Sequence, residues 1–281
     1  MNPKTMSLKA KINNYAKANH IPAQVVLQNV MFERFLERLS KSQYRDKFVM
    51  KGGMLISALV GLNTRATMDL DITFRKHPLN EEQIWEVMKR ITEIKIDDEV
   101  FFKIKSVAPI RKDDVYGGYR VKMDAIFEDI VTPLSIDVST GDVITPSAME
   151  HEIIGTIDKS VRIILWGYNI ETVLAEKVET ILSRSTTNTR PRDFYDVYIL
   201  NSEKDYDPVV FRKALKATSE NRSSTEKIRD IEPIIDSIMS SEMLRNMWEK
   251  YRKKFKYAEK ITFEDTVDAL KKIMNNVKAI P

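Results

Sequence analysis

Apolar residues recur at helical spacing through the first fifty positions. Phe32, Phe35, Leu36 and Leu39 share one face, and Pro22 stands where a helix's first turn tolerates a missing N–H. The pattern then shortens. Phe48-Val49-Met50 is a compact apolar run ending at Gly52-Gly53, which predicts a strand, a turn and a short apolar helix over 54–60. Met68-Asp69-Leu70-Asp71-Ile72-Thr73-Phe74 alternates apolar with polar, the signature of a half-buried strand. Ile84, Val87, Met88 and Ile91 form one stripe of a helix over 80–94. Further strands are predicted over 100–107, 119–127, 134–138 and 161–165, and helices over 170–184, 191–202, 208–218, 226–255 and 263–277. This order predicts an α+β, two-lobed protein. A mixed β-sheet core with N-terminal helices, 1–160, is followed by a helical C-terminal domain, 161–281.

Composition narrows the chemistry. The 281 residues suffice for one or two domains. Lys and Arg number 45 against 41 Asp and Glu, interspersed, so the net charge of +4 is no polybasic tail. With no cysteine, disulfides, thiolate zinc sites and cysteine nucleophiles are excluded. The only histidines, His20, His77 and His151, are far apart, which argues against a histidine-rich metal site or a His-centred triad. No apolar run approaches the roughly 18 residues that span a bilayer. The N-terminus also lacks the apolar segment of a signal peptide, so the chain reads as soluble and cytoplasmic, with no membrane partner. Carboxylates, Lys, Arg and hydroxyls remain, and they point to metal-assisted phosphate chemistry.

Asp69-Leu70-Asp71 is the most informative triplet. In a strand, residues i and i+2 share a face, so both carboxylates point one way while Leu70 and Ile72 enter the core. Two like charges held together repel unless a cation sits between them. Alone, the triplet fits the solvated face of an edge strand better. Upstream, Lys51-Gly52-Gly53 lies between a strand and a helix, where glycines let backbone approach a phosphate and the helix start offers free N–H groups. An ordinary tight turn would carry the same glycines. Downstream, Asp137 stands in an apolar strand between Ile136 and Val138. If these strands are neighbours, three carboxylates assemble as in two-metal phosphoryl transfer. Asp69 and Asp71 would hold the ions, and Asp137 would help hold or activate the attacking hydroxyl.

This order of Gly-Gly, helix, D-x-D strand and later lone-Asp strand resembles the nucleotidyltransferase fold of the DNA polymerase β type. The wording F-V-M-K-G-G…T-R-A-T-M-D-L-D resembles the AbiEii toxin family of type IV (AbiE) toxin–antitoxin systems. Leu174-Ala175-Glu176-Lys177, then Arg190-Pro191-Arg192-Asp193-Phe194-Tyr195-Asp196, are similar to the family's later lysine and aspartate motifs, so the resemblance spans roughly 47–200. One departure is that the fold's usual Gly-Ser is Gly52-Gly53 here. A phosphate contact must then be backbone-only or come from Ser57, Thr64 or Thr67.

The resemblance implies a Mg²⁺-dependent enzyme that binds an NTP between its lobes and transfers NMP to an RNA acceptor, with tRNA favoured. It also implies growth arrest in abortive phage infection, a cognate AbiE antitoxin and a monomeric toxin. Asp69 and Asp71 would be metal ligands, Asp69, Asp71, Asp137, Lys177 and Asp193 catalytic, and Lys51, Gly52, Gly53, Arg65 and Lys177 nucleotide-binding. Residue by residue, alternatives stay open. Lys177 falls within an apolar helical stripe, where a lysine either snorkels outward or meets an anion. Asp193 and Asp196 border a buried face, and Asp196 suits a structural pair with Arg190 or Arg192. Arg65 reads equally as a phosphate contact or a surface arginine. Lys250 to Tyr257 mixes five cations with three aromatics, which suits RNA stacking or, more simply, the cationic end of a helix with its rings in the core. Two rival functions share these residues: a small-molecule, antibiotic-modifying nucleotidyltransferase, and a non-catalytic nucleotide- or RNA-binding module.

Overall fold

The computed structural model describes residues 3–75, 80–110 and 118–278, apart from the side chain of Lys278. His77 lies outside the described residues. The chain divides into two compact units, Met1–Asp142 with Met149–Gly167, and Val143–Ala148 with Tyr168–Pro281.

In the first unit α1 (Pro3–Asn19) and α2 (Ala23–Ser40) precede β1 (Phe48–Lys51) and α3 (Gly52–Val60). Then come β2 (Leu70–Phe74), α4 (Glu81–Thr92), β3 (Val100–Pro109), β4 (Tyr119–Phe127), β5 (Ile130–Thr140), β6 (Met149–Ile154) and β7 (Arg162–Gly167). Among the described residues the strands form one seven-stranded mixed sheet in the order β3-β4-β5-β2-β1-β7-β6. β2 runs parallel to β5, and β1 parallel to β7, while the other neighbours are antiparallel.

The apolar run of β1 is buried because it lies in the middle of this order, between β2 and β7. α2 packs its stripe of Phe32, Phe35, Leu36 and Leu39 inward, against β5 and β7 among other elements. α4 starts on an Asn80–Gln83 capping box and buries Ile84, Val87, Met88 and Ile91, the stripe read from the sequence.

Three strand expectations change. β2 begins at Leu70, so Asp69 stands immediately before the strand rather than inside it. β5 begins four residues earlier than expected and includes Pro133. At that point β4 flanks it but β2 does not, since β2 joins only from Ile136, and such a setting tolerates a proline. β6 has no counterpart in the sequence reading. It is an edge strand in which only Ile153 is buried, so Glu150, His151 and Glu152 erase the alternation that would reveal it. β7 pairs with β1 and β6, so the first unit extends to Gly167, past the division read near residue 160.

This unit also buries a carboxylate that the sequence does not flag. Glu33 of α2 accepts hydrogen bonds from the Asn29 side chain and from the backbone N–H and hydroxyl of Thr156. Beside it lies a cavity of about 260 Å³, lined in part by Tyr15, Met54, Ser57 and Lys159. Burial pushes the Glu33 carboxyl above its ordinary value of 4.5, although the Thr156 donors and the charges of Arg34 and Lys159 pull it back. A raised acid keeps its proton in the folded chain after the unfolded chain has lost it. Its contribution is therefore full below 4.5 and is lost as pH rises through the folded value. The difference in unfolding free energy between wild type and Glu33→Gln, measured by urea denaturation across pH, should move in favour of Gln as pH rises above 4.5. About 1.4 kcal/mol is at stake per unit of separation between the two states' values. A pH-independent difference would show that Glu33 does not titrate differently in the fold.

The second unit comprises α5 (Ile170–Arg184), α6 (Pro191–Glu203), α7 (Pro208–Asn221), α8 (Ile231–Met239), α9 (Glu242–Lys254) and α10 (Phe263–Lys278). α5 packs on α6 and α7, and α10 on α6. Asn169 caps α5 by accepting from Thr172 N–H at 2.7 Å. Its amide donates to the Thr145 and Ser147 carbonyls at 2.8 Å each, which ties residues 143–148 to this unit. The single helix expected over 226–255 is instead a short 3-10 turn, α8 and α9. Pro233 is tolerated only because it falls in the first turn of α8, and Ser241 caps a new start by accepting from Leu244 N–H.

Candidate active site

Sheet register brings the sequence's acidic residues together. Lys51 of β1 is the cross-strand partner of Asp71 on β2, Asp71 that of Asp137 on β5, and Asp137 that of Arg120 on β4. Four neighbouring strands thus carry one row, Lys51–Asp71–Asp137–Arg120. Leu70 and Ile72 are fully buried, Asp71 is half-buried and Asp69 is exposed, as the alternation predicts. Thr67 shapes the approach: its hydroxyl lies 3.2 Å from the Asp69 carbonyl and 3.4 Å from the Asp69 N–H.

Asp71 packs directly on the glycine turn. Gly52 has φ +62°, and a Cβ placed there would lie 2.2 Å from Asp71 Oδ2. The carboxylate therefore occupies the space a side chain would need, at the start of α3. A Cβ on Gly53 would meet the Thr67 hydroxyl at 2.7 Å and Arg65 Nη2 at 3.1 Å. Of the three candidate substitutes for the missing serine hydroxyl, Thr67 is thus placed against the turn, whereas Ser57 lines the cavity beside Glu33. Arg65 is no surface arginine. It is 1% exposed, and its guanidinium donates to the Ala66 carbonyl and backs Gly53.

Lys51 Nζ lies 2.7 Å from Asp142 Oδ2. Burial by itself would raise the Asp142 carboxyl. The Lys51 charge and hydrogen bonds from Lys51, Ser139 and Thr73 outweigh it and hold the group below the ordinary aspartate range. Asp137 is held by Arg120, whose Nε and Nη2 donate to its two oxygens at 2.7 Å each. Those bonds and the Asp137 charge raise the Arg120 guanidinium further. Burial opposes them slightly, and Asp69 and Asp71 add to them, which places all three carboxylates within its field. The strands adjoin, with Asp137 engaged by Arg120. Among the described residues no group of three or more His, Asp or Glu side chains is spaced to hold a metal ion. Neither Arg120 nor Asp142 figured in the sequence reading. A cation on the neighbouring strand, 17 residues away in sequence, leaves no local signature.

The remaining candidates lie in the second unit. Lys177 of α5 pairs with Asp193 Oδ1 at 2.8 Å and Asp196 Oδ2 at 3.0 Å, both on α6. Asp193 is 3% and Asp196 0% exposed, so the lysine in the apolar stripe meets anions rather than snorkelling free. Asp196 was read as a partner for Arg190 or Arg192, and it meets Lys177. Asp193 Oδ2 is buried with no hydrogen-bond partner among the described residues. A second tie, Arg222 to Glu176 at 2.9 Å and to Glu179 at 2.5 Å, fixes the end of α7 on α5.

In the basic segment Tyr251 is buried. Tyr251, Phe255, Tyr257 and Tyr195 pack on one another, with Phe255 and Tyr257 stacked at 5.4 Å. The rings are thus engaged within the unit, while Lys250, Lys253, Lys254 and Lys256 are exposed. Among the described residues no helix is long and apolar enough to cross a membrane.

A mixed sheet with a glycine turn feeding a helix, and acids on the adjoining strands, defines a nucleotidyltransferase-like α+β fold. A Helicobacter pylori structure assigned as a nucleotidyltransferase is similar to it, with a TM-score of 0.51 at 15% identity over 93% of this chain and 99% of that one. The H. pylori protein JHP933 gives a TM-score of 0.47 at 16% identity over 83% of this chain and 95% of that one. No curated protein sequence matches the chain significantly. The family model for the nucleotidyl transferase AbiEii toxin, Type IV TA system, matches residues 34–270, and the chain belongs to that family. Membership makes it a nucleotidyltransferase toxin with an NTP substrate and an antitoxin partner.

Proposed function

We propose that this toxin transfers NMP from an NTP to an RNA acceptor, with tRNA favoured, in a Mg²⁺-dependent reaction. The observation that carries the reading is the Lys51–Asp71–Asp137 row beside the Gly52 helix start, with Asp69 two residues from Asp71. Nucleotidyltransferases generally use divalent metals. Asp69 and Asp71 offer the hard oxygen donors that Mg²⁺ takes together with substrate phosphate oxygens. When bound there, the ion would polarise the α-phosphate. The α3 N–H groups at Gly52 and Gly53 are assigned to the phosphates, and Lys51 to charge balance beside them. Arg65, buried behind Gly53, is assigned to the phosphate site through the shape of that turn. Asp137 is assigned to hold the ion or take the hydroxyl proton. The acceptor oxygen attacks the α-phosphorus, the bond to the β-phosphate oxygen breaks, and pyrophosphate leaves.

Lys177 is assigned to the triphosphate, held by Asp193 and Asp196, and the unpartnered Asp193 Oδ2 supports a role towards a substrate hydroxyl. The toxin acts in the cytoplasm as a monomer, in abortive phage infection, and a cognate AbiE antitoxin counters it. The exposed cations Arg190, Arg192, Lys250, Lys253, Lys254 and Lys256 support a polyanionic acceptor.

Incubation of the protein with total RNA and each labelled NTP tests this reading. Covalent label on RNA is expected, together with tRNA binding that weakens by roughly 0.7 to 0.9 log units per phosphate contact for each tenfold rise in salt. Label on small amines and none on RNA would give the small-molecule rival. No pyrophosphate release with any NTP would give the non-catalytic one.

A further inference from the structure

Arg120 grips Asp137 with both arms of its fork and engages both of its oxygens. Three like charges, Asp69, Asp71 and Asp137, lie within its field. Without a positive charge among them they would repel one another. A metal ion needs carboxylate lone pairs, and Arg120 already engages one on each oxygen of Asp137 and sets its charge against an incoming cation. The Arg120 side chain is 48% exposed against 22% for Asp137, so the arginine can leave without unpacking the sheet. Its planar fork matches a phosphate as well as it matches a carboxylate.

We propose that Arg120 is a resident counter-ion that holds Asp137 closed until a metal-bound triphosphate arrives, then transfers its fork from Asp137 to the phosphates. The inference rests on the reading of Asp69 and Asp71 as metal ligands. It makes metal and nucleotide binding cooperative, since each helps release Arg120 from Asp137. It also makes Arg120 a nucleotide-contacting residue for the transfer reaction. The alternation of β4 places Arg120 on the same face as Lys122, which is exposed and opposite Ser135, so Lys122 provides a matched charge control.

The test is Mn²⁺ binding, followed by electron paramagnetic resonance of the free ion, for the full chain and for Arg120→Gln, Lys122→Gln and Asp71→Asn. Each is measured with and without an NTP analogue whose α,β-bridge is a methylene. A charge-assisted fork released from Asp137 should let Arg120→Gln bind Mn²⁺ alone about tenfold tighter than wild type. Lys122→Gln should shift it less than about twofold, because an exposed neighbouring charge is screened by solvent and its loss frees neither oxygen held by the Arg120 fork. With Mn²⁺ present, the analogue should bind Arg120→Gln more weakly than wild type, because the fork has gone. Equal Mn²⁺ affinity in wild type and Arg120→Gln, with Asp71→Asn weaker, would overturn the counter-ion role and leave the metal reading standing. Equal shifts in Arg120→Gln and Lys122→Gln would reduce the effect to net charge and overturn it too. Analogue affinity that is unchanged or rises in Arg120→Gln would overturn the transfer to phosphate. Mn²⁺ binding that Asp71→Asn leaves untouched, or no binding at all, would overturn the metal reading and this inference together.

Discussion

Asp71→Asn is expected to lower nucleotidyl transfer by about a thousandfold or more, the several kcal/mol a metal ligand contributes to stabilising charge in the transition state. The substitution keeps the shape of the side chain that packs on Gly52, so the contact at the turn survives. It removes repulsion towards Asp69 and Asp137, and it weakens attraction to Lys51 and Arg120, which face it across the row. These opposing changes leave stability within about 1 kcal/mol of wild type. Pyrophosphate release with NTP and acceptor measures the first effect, and urea denaturation the second. Growth arrest on expression should vanish in parallel. A folded Asp71→Asn protein retaining a tenth of the wild-type rate would remove Asp71 from the metal site.

Gly52→Ala should damage both fold and activity. Its φ of +62° costs an L-residue roughly 1–2 kcal/mol. The new Cβ also collides with Asp71 Oδ2 at 2.2 Å and Cγ at 2.9 Å, so the carboxylate must leave its place against the turn. Together these predict a loss of about 2–4 kcal/mol, within the range of strain and overpacking at a constrained site. Activity should fall towards that of Asp71→Asn, because the same carboxylate is displaced. The two causes separate in an Asp71→Ala background. There the carboxyl is gone and only the Cβ of residue 71 remains, at 3.0 Å, so Gly52→Ala should cost chiefly the backbone share. An identical cost in both backgrounds would show that the contact with Asp71 contributes nothing.

Much of this molecule was legible along the chain. The alternation at Leu70, Asp71 and Ile72 puts both apolar side chains in the core and leaves Asp71 half-buried, although Thr73 is buried too and Asp69 stands just before the strand. The 3.6-residue stripes of α2, α4 and α5 emerged as read, since each buries one continuous face against a neighbour. Periodicity is a local property, and burial enforces it. It failed where burial is weak or local signals compete. The edge strand β6 buries only Ile153, so it carries no alternation. Apolar spacing between 226 and 255 concealed the breaks that Pro233 and Ser241 impose.

Which acids meet was settled elsewhere. Asp137 adjoins Asp71 because β5 lies beside β2 in one register, and a slip of one residue would turn Asp137 to the opposite face. The same register, carried on through β4, gives Asp137 to Arg120. Burial of Arg65 behind Gly53 and of Glu33 on Thr156, and the pairing of Lys177 with Asp193 and Asp196, likewise depend on partners distant in sequence or on another helix. Sequence determined which residues are acidic, which face they take and which turn requires glycine, because those follow from the chain's own geometry over a few residues. Only the tertiary structure decided which charge neutralises which, because ion pairs form between neighbours in space and the order of strands chooses them.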